Sequence, residues 1–382
     1  MTDETEKARA FLWGLQSQVA EATGLQLSER GERWKEALVD IGMRMPGLSE
    51  EVVRRAVQAG ETPQAHWPPC GPDEPPWGYW LINSLADQLE KGFSGSFTRP
   101  VLGMLATGEI NAVTLLAPSG AHVVAFESEL LSFANLFGKA VALAMPHEAR
   151  QDGGIAFSAE IDEVRRHVRD SPEAVRRFRD VVLAYLLEGR PSKASPYLPS
   201  EAVRTLGYIF QQGMELFVLG HEYGHVMAGH VADRKTPRRM LGVGHVPVTE
   251  VGWRWEQEGV ADVIGWKLCL GAMSGEVGLE LSHAGVELFF SAYEVLNRAV
   301  PLLMTGVNAP LPGSSTHPPA DLRRDIVRTL AEAELKERAG PVLEYGKAIQ
   351  GVVDVLWEQT APVIVDLHRQ GAVPDARWTA NL

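Results

Sequence analysis

His221-Glu222-Tyr223-Gly224-His225 is the stretch on which the reading of this chain turns. It lies in a helical run that Ser200 caps and that extends to about Val231. On a helix of 3.6 residues per turn, positions four apart differ by about 40° in direction. The imidazoles of His221 and His225 therefore point the same way and can hold one metal ion. Glu222 lies about 100° further round, where it faces a water held at that ion without being a ligand itself. An H-E-x-x-H helix of this kind binds zinc and uses its glutamate as general base and acid.

Two imidazoles leave a third ligand to find. His230 follows His225 by five residues and, on a continuing helix, points about 140° away from it. It reads as a non-ligand. Glu258-Gly-Val-Ala-Asp262 opens the next helical run. Its two carboxylates are again four apart, on one face. Glu258 can ligate the metal while Asp262 accepts a hydrogen bond from a ligand imidazole, fixing its tautomer. Glu256 competes less well, because Val260 stands four residues after it. The expected set is His221, His225 and Glu258 around one Zn2+ per chain, with a fourth position open, which is a catalytic rather than a structural arrangement.

The order H-E-x-x-H then E-x-x-A-D resembles the gluzincin metallopeptidases. Ser315-Thr-His317-Pro-Pro-Ala-Asp-Leu-Arg323 is similar to the segment downstream of the zinc helices in HtpX-like and CaaX-prenyl-protease-like peptidases. A soluble Lit-like phage-exclusion protease carries a comparable zinc helix. The resemblance covers about residues 200–330 and implies a zincin-like core. It implies a role near the metal for His317 and Arg323: His317 as a catalytic donor to the oxyanion or as a helix cap, Arg323 as a second oxyanion candidate or a partner to a carboxylate. The HtpX-like and CaaX-protease-like relatives are membrane proteins, whereas no 18-residue window here is both apolar and free of charge.

The rest of the chain bounds these expectations. Its 382 residues carry a net charge of −13, which disfavours partners that are polyanions, so nucleic acid is not expected. Two cysteines are too few for a disulfide framework, and the first residues show no secretory signal, so a cytoplasmic protein is expected. Three regions are expected. Residues 1–95 are helical with a Pro-rich strap, 96–195 hold a hairpin and helices, and 196–382 form the helical peptidase core. The hairpin signal is Ala112-Val-Thr-Leu-Leu and His122-Val-Val-Ala-Phe about Ala117-Pro-Ser-Gly-Ala121. Residues 146–157 and 232–250 read as loops, the arginines between 165 and 179 as a solvated face, and His283 with Glu287 as a surface pair. The fold class is α+β and mostly helical. The function expected is zinc-dependent hydrolysis of a polypeptide substrate. The alternative is a non-catalytic binding or regulatory protein that keeps zinc for stability.

Overall fold

In a computed structural model the chain is mostly helical with a small sheet. The structure describes residues 3–23, 48–59, 67–74, 76–93, 98–151, 154–230, 238–241, 246–249, 255–308 and 318–375, with 36, 39, 40, 42, 43 and 95. The elements in order are α1 (Asp3–Thr23), α2 (Glu50–Ala59), α3 (Pro76–Gly92), β1 (Val101–Leu105), β2 (Ala112–Leu116), β3 (His122–Glu127) and α4 (Ser128–Ala144). Then come β4 (His147–Ala149), β5 (Ile155–Phe157), α5 (Ile161–Asp170), α6 (Glu173–Glu188) and α7 (Glu201–Met227). The last are β6 (Arg238–Leu241), β7 (Val246–Thr249), α8 (Trp255–Val277), α9 (Leu279–Thr305), α10 (Ala320–Leu335) and α11 (Ala339–Arg369).

The chain divides into two compact units: residues 1–130, 196–198 and 225–252, and residues 131–195, 199–224 and 253–382. The division passes through the last turn of α7, which itself continues to Met227.

The first unit is built on the expected hairpin. β2 and β3 pair antiparallel, and the turn between them closes with Gly120 N donating to Ala117 O at 2.9 Å. Gly120 has φ +87°, a conformation that needs glycine. A third strand was not expected. Val101-Leu-Gly-Met-Leu105 pairs parallel to β3, giving the order β1-β3-β2. Its five residues are all buried, so it shows no alternation that would mark it as a strand in the sequence. Ala8, Leu12, Leu15 and Val19, one stripe of α1, cover the sheet against Val101, Val113, Leu115, Val123 and Ala125. The Pro-rich strap is tied down at Glu74, whose buried carboxylate accepts from Met104 N at 2.5 Å and Gly71 N at 3.2 Å.

Both segments read as loops contain short pairings instead. β4 pairs with β5 through His147↔Phe157 and Ala149↔Ile155, and β6 pairs with β7 through Arg238↔Thr249 and Leu241↔Val246. Gly and Pro near these segments signal turns, but runs of three or four residues between such breakers are long enough to pair.

The second unit is a helical assembly in which α9 and α11 run along one another, with α8 and α10 packed against α9. Ser200 caps α7 as expected, its Oγ 3.4 Å from Val203 N. Gly189 and Gly306, with φ +65° and +74°, end α6 and α9. The packing of α7 depends on glycines. A Cβ at Gly213 would lie 2.8 Å from Gly285 Cα on α9, one at Gly220 3.0 Å from Gly265 Cα on α8, and one at Gly224 2.8 Å from Ala261 Cα on α8. Backbone therefore meets backbone along this seam, and α8 packs directly on the backbone of α7 at Gly220 and Gly224.

His283 and Glu287 are not a surface pair. Both are fully buried on α9, which has buried residues on all sides. Trp266 Nε1 donates to His283 Nδ1 at 3.0 Å, and His283 Nε2 stands 3.2 Å from Glu287 Oε1. Arg328 closes the chain with bonds of 2.7 and 2.9 Å to the two Glu287 oxygens.

Glu215 on α7 is a further buried carboxyl, bonded by Gln211 Nε2 at 2.8 Å. Burial pushes it up to about 8, against an ordinary value of 4.5. Between those values the folded chain keeps a proton that the unfolded chain releases, so this group's contribution to stability falls as pH rises from about 4.5 to about 8. Glu215→Gln should therefore melt higher than the parent at pH 8, and the gain should close below pH 4.5. Thermal melts across this range check it. A gain that does not depend on pH would place the effect in packing instead.

Candidate metal centre

The seam of glycines sets the site. Because Gly220 and Gly224 let α8 lie against α7, the first turns of α8 come level with the last turns of α7. Each ligand turn is thereby paired with its partner turn. His221 and His225 project from α7, Glu258 from α8, and the three are buried. One donor atom from each lies within 4.8 Å of the other two. Glu256 is exposed at the start of α8, so it is Glu258 that faces the histidines.

Asp262, one turn along α8 from Glu258, accepts from His221 Nδ1 at 2.9 Å. In the neutral imidazole that bond leaves His221 Nε2 without its hydrogen and aimed at Glu258, whose Oε2 is 3.7 Å away. Arg323, from the first turn of α10, holds Asp262 in a two-pronged grip: Nε to Oδ2 at 2.8 Å and Nη2 to Oδ1 at 2.6 Å. The guanidinium also stands 3.9 Å from Glu258 and 5.6 Å from the centre of the Phe290 ring.

Burial opposes both charged states here, and the pairings overcome it. Burial raises the Asp262 carboxyl, but the Arg323 charge and its hydrogen bonds bring it down to about 2. Burial lowers the His221 imidazole, but the bond to Asp262 and the charges of Asp262 and Glu258 leave it above its ordinary value. Two imidazoles and a carboxylate are the donor set of a catalytic zinc site, and the residues present fit that ion.

His225 has a neighbour that the helical wheel does not place there. Its Nδ1 lies 3.1 Å from Nδ1 of His230. The helix stops at Met227 and Gly229 adopts φ +67°, so the chain turns back and carries His230 to the helix end. With His225 as donor, its Nε2 is the nitrogen that carries no hydrogen, as the bond to Asp262 arranges for neutral His221. The sequence signal was Gly229 just before His230, a helix-stop residue.

Glu222 is buried on α7 beside these ligands, with 6% of its surface exposed. His317 lies outside the described residues. Among the described residues no helix is long and apolar enough to cross a membrane. Comparison with protein-family models, curated proteins and solved structures finds no match to this chain in any of the three.

Proposed function

We propose that this protein is a zinc metallopeptidase with a zincin-like core, which hydrolyses peptide bonds of a polypeptide substrate. The observation that carries the reading is the buried His221–His225–Glu258 group with a further carboxyl group, Glu222, next to a ligand on the same helix. A structural metal site has no use for a base in that position. Zinc held there would supply a Lewis acid for the scissile carbonyl and for the attacking water. Glu222 takes the proton from that water and returns it to the leaving amine. Asp262, held by Arg323, keeps His221 in the tautomer that offers Nε2.

The test pairs metal content with cleavage of an unfolded protein. Glu258→Ala should lose both zinc and cleavage, and Glu256→Ala should keep both. Equal zinc loss in the two variants would show that the third ligand is misassigned. A parent that holds one zinc per chain but cleaves no substrate when loaded would favour the non-catalytic, zinc-stabilised alternative.

A further inference from the structure

Residues 161–188 contain six arginines and no lysine in a chain whose net charge is −13. Four of them converge. Arg165 and Arg169 lie four apart on α5, and Arg176 and Arg179 three apart on α6, so each pair shares a helix face. With α11 they line a cavity of about 730 Å³, within the range of small-ligand sites. Its wall includes three valines, and its acidic groups are Glu173 and Glu358.

The resident carboxylates do not balance the arginines. Glu358 pairs with Arg165 at 3.2 Å. Glu173 is shared between Arg176 and Arg177, at 2.5 and 2.7 Å. Among the described residues, Arg169 and Arg179 have no hydrogen-bond or ion-pair partner. Crowding guanidinium groups around a concavity costs free energy through mutual repulsion unless an anion joins them. Solubility does not require it, since the chain is already far from neutral.

We infer that this cavity binds a small organic molecule carrying two phosphate groups. Guanidinium groups match phosphate oxygens in planar, two-pronged bonds, which a lysine cannot do. Two pairs, one on each helix, take two such groups, while the valines meet an organic body between them. A ligand carboxylate at Arg165 or Arg176 would only replace the carboxylate already there. A phosphate brings more charge and a third oxygen, and gains by the exchange. The cavity shares no residue with the metal group, so this inference stands apart from the peptidase reading.

The probe is fructose 1,6-bisphosphate, titrated calorimetrically into the full chain at about 50 mM salt. Saturable binding of one molecule per chain is expected, weakening as salt rises. Arg169→Gln/Arg179→Gln should weaken it at least ~10-fold, a loss of about 1.4 kcal/mol. Arg166→Gln, on the same helix but outside the cavity, should leave it unchanged. Glu258→Ala should also bind as the parent does, which separates this cavity from phosphate chelation at the metal group. Since Arg169 and Arg179 contact no partner, the double variant should melt with the parent; if it does not, the two single variants carry the test. Any of four results overturns the inference: no saturable binding up to millimolar probe, equal binding in the double variant, equal affinity for inorganic phosphate, or binding of a hexaglutamate peptide but not of the bisphosphate.

Discussion

In Glu222→Gln, hydrolysis of an unfolded protein should fall by about 100- to 10,000-fold, while zinc content and melting temperature stay at the parent's values. Glutamine has the size of glutamate and keeps its hydrogen-bonding oxygen, so the packing of this buried position survives. It cannot accept a proton, so neither the attacking water nor the leaving amine is served. Glu222 points about a quarter turn from the ligand face of α7 and is not one of the three donors. Zinc should therefore remain. A variant that cleaves at the parent's rate would mean that the activity does not come from this helix. Loss of zinc together with activity would mean that Glu222 is a ligand.

Arg323→Met should cost about 3–5 kcal/mol of stability in urea unfolding of the metal-free protein. Methionine fills much of the volume but removes both bonds to Asp262, leaving a fully buried carboxylate without its counter-charge. Much of that cost is the stranded charge rather than the lost attraction. Asp262→Leu in the same chain should then recover more than half of it. Zinc affinity should not recover, because in that double variant His221 has lost the group that sets its tautomer; a weakening of about 10- to 100-fold relative to the parent is expected there. A loss below about 1 kcal/mol in the single variant would show that water reaches Asp262 and replaces the guanidinium.

The ligand set was legible because it is written in helical spacing. His221 with His225, and Glu258 with Asp262, are pairs four residues apart, and such pairs keep a common direction wherever the helices go. Which helix faces which is a tertiary fact. It was reachable only because E-x-x-A-D follows H-E-x-x-H, and the structure brings the two together through glycines whose purpose has no local signature. His230 is absent from the ligand group, as read, but its place beside His225 was not legible from a helical wheel extended past Gly229, where the helix has ended. The burial of His283 and Glu287 was missed because their partners, Trp266 and Arg328, come from other helices. β1 was missed because a strand buried on both faces loses its alternation. The arginines of α5 and α6 were visible, but the wall that α11 adds to make a cavity of them was not.

The four glycines of α7, at 207, 213, 220 and 224, have a consequence for how the centre comes into being. Each weakens an isolated helix by about 1 kcal/mol relative to alanine, or about 4 kcal/mol together. Alone, this segment holds no stable helix and so presents no paired imidazoles. Its helical form is secured by docking, and the positions that weaken it are those through which Lys139, Gly285, Gly265 and Ala261 approach. Helix formation and ligand assembly are thus a single cooperative event. A partly folded chain offers stray metal no half-built site, and the helix should open to hydrogen exchange only together with its seam, as one unit.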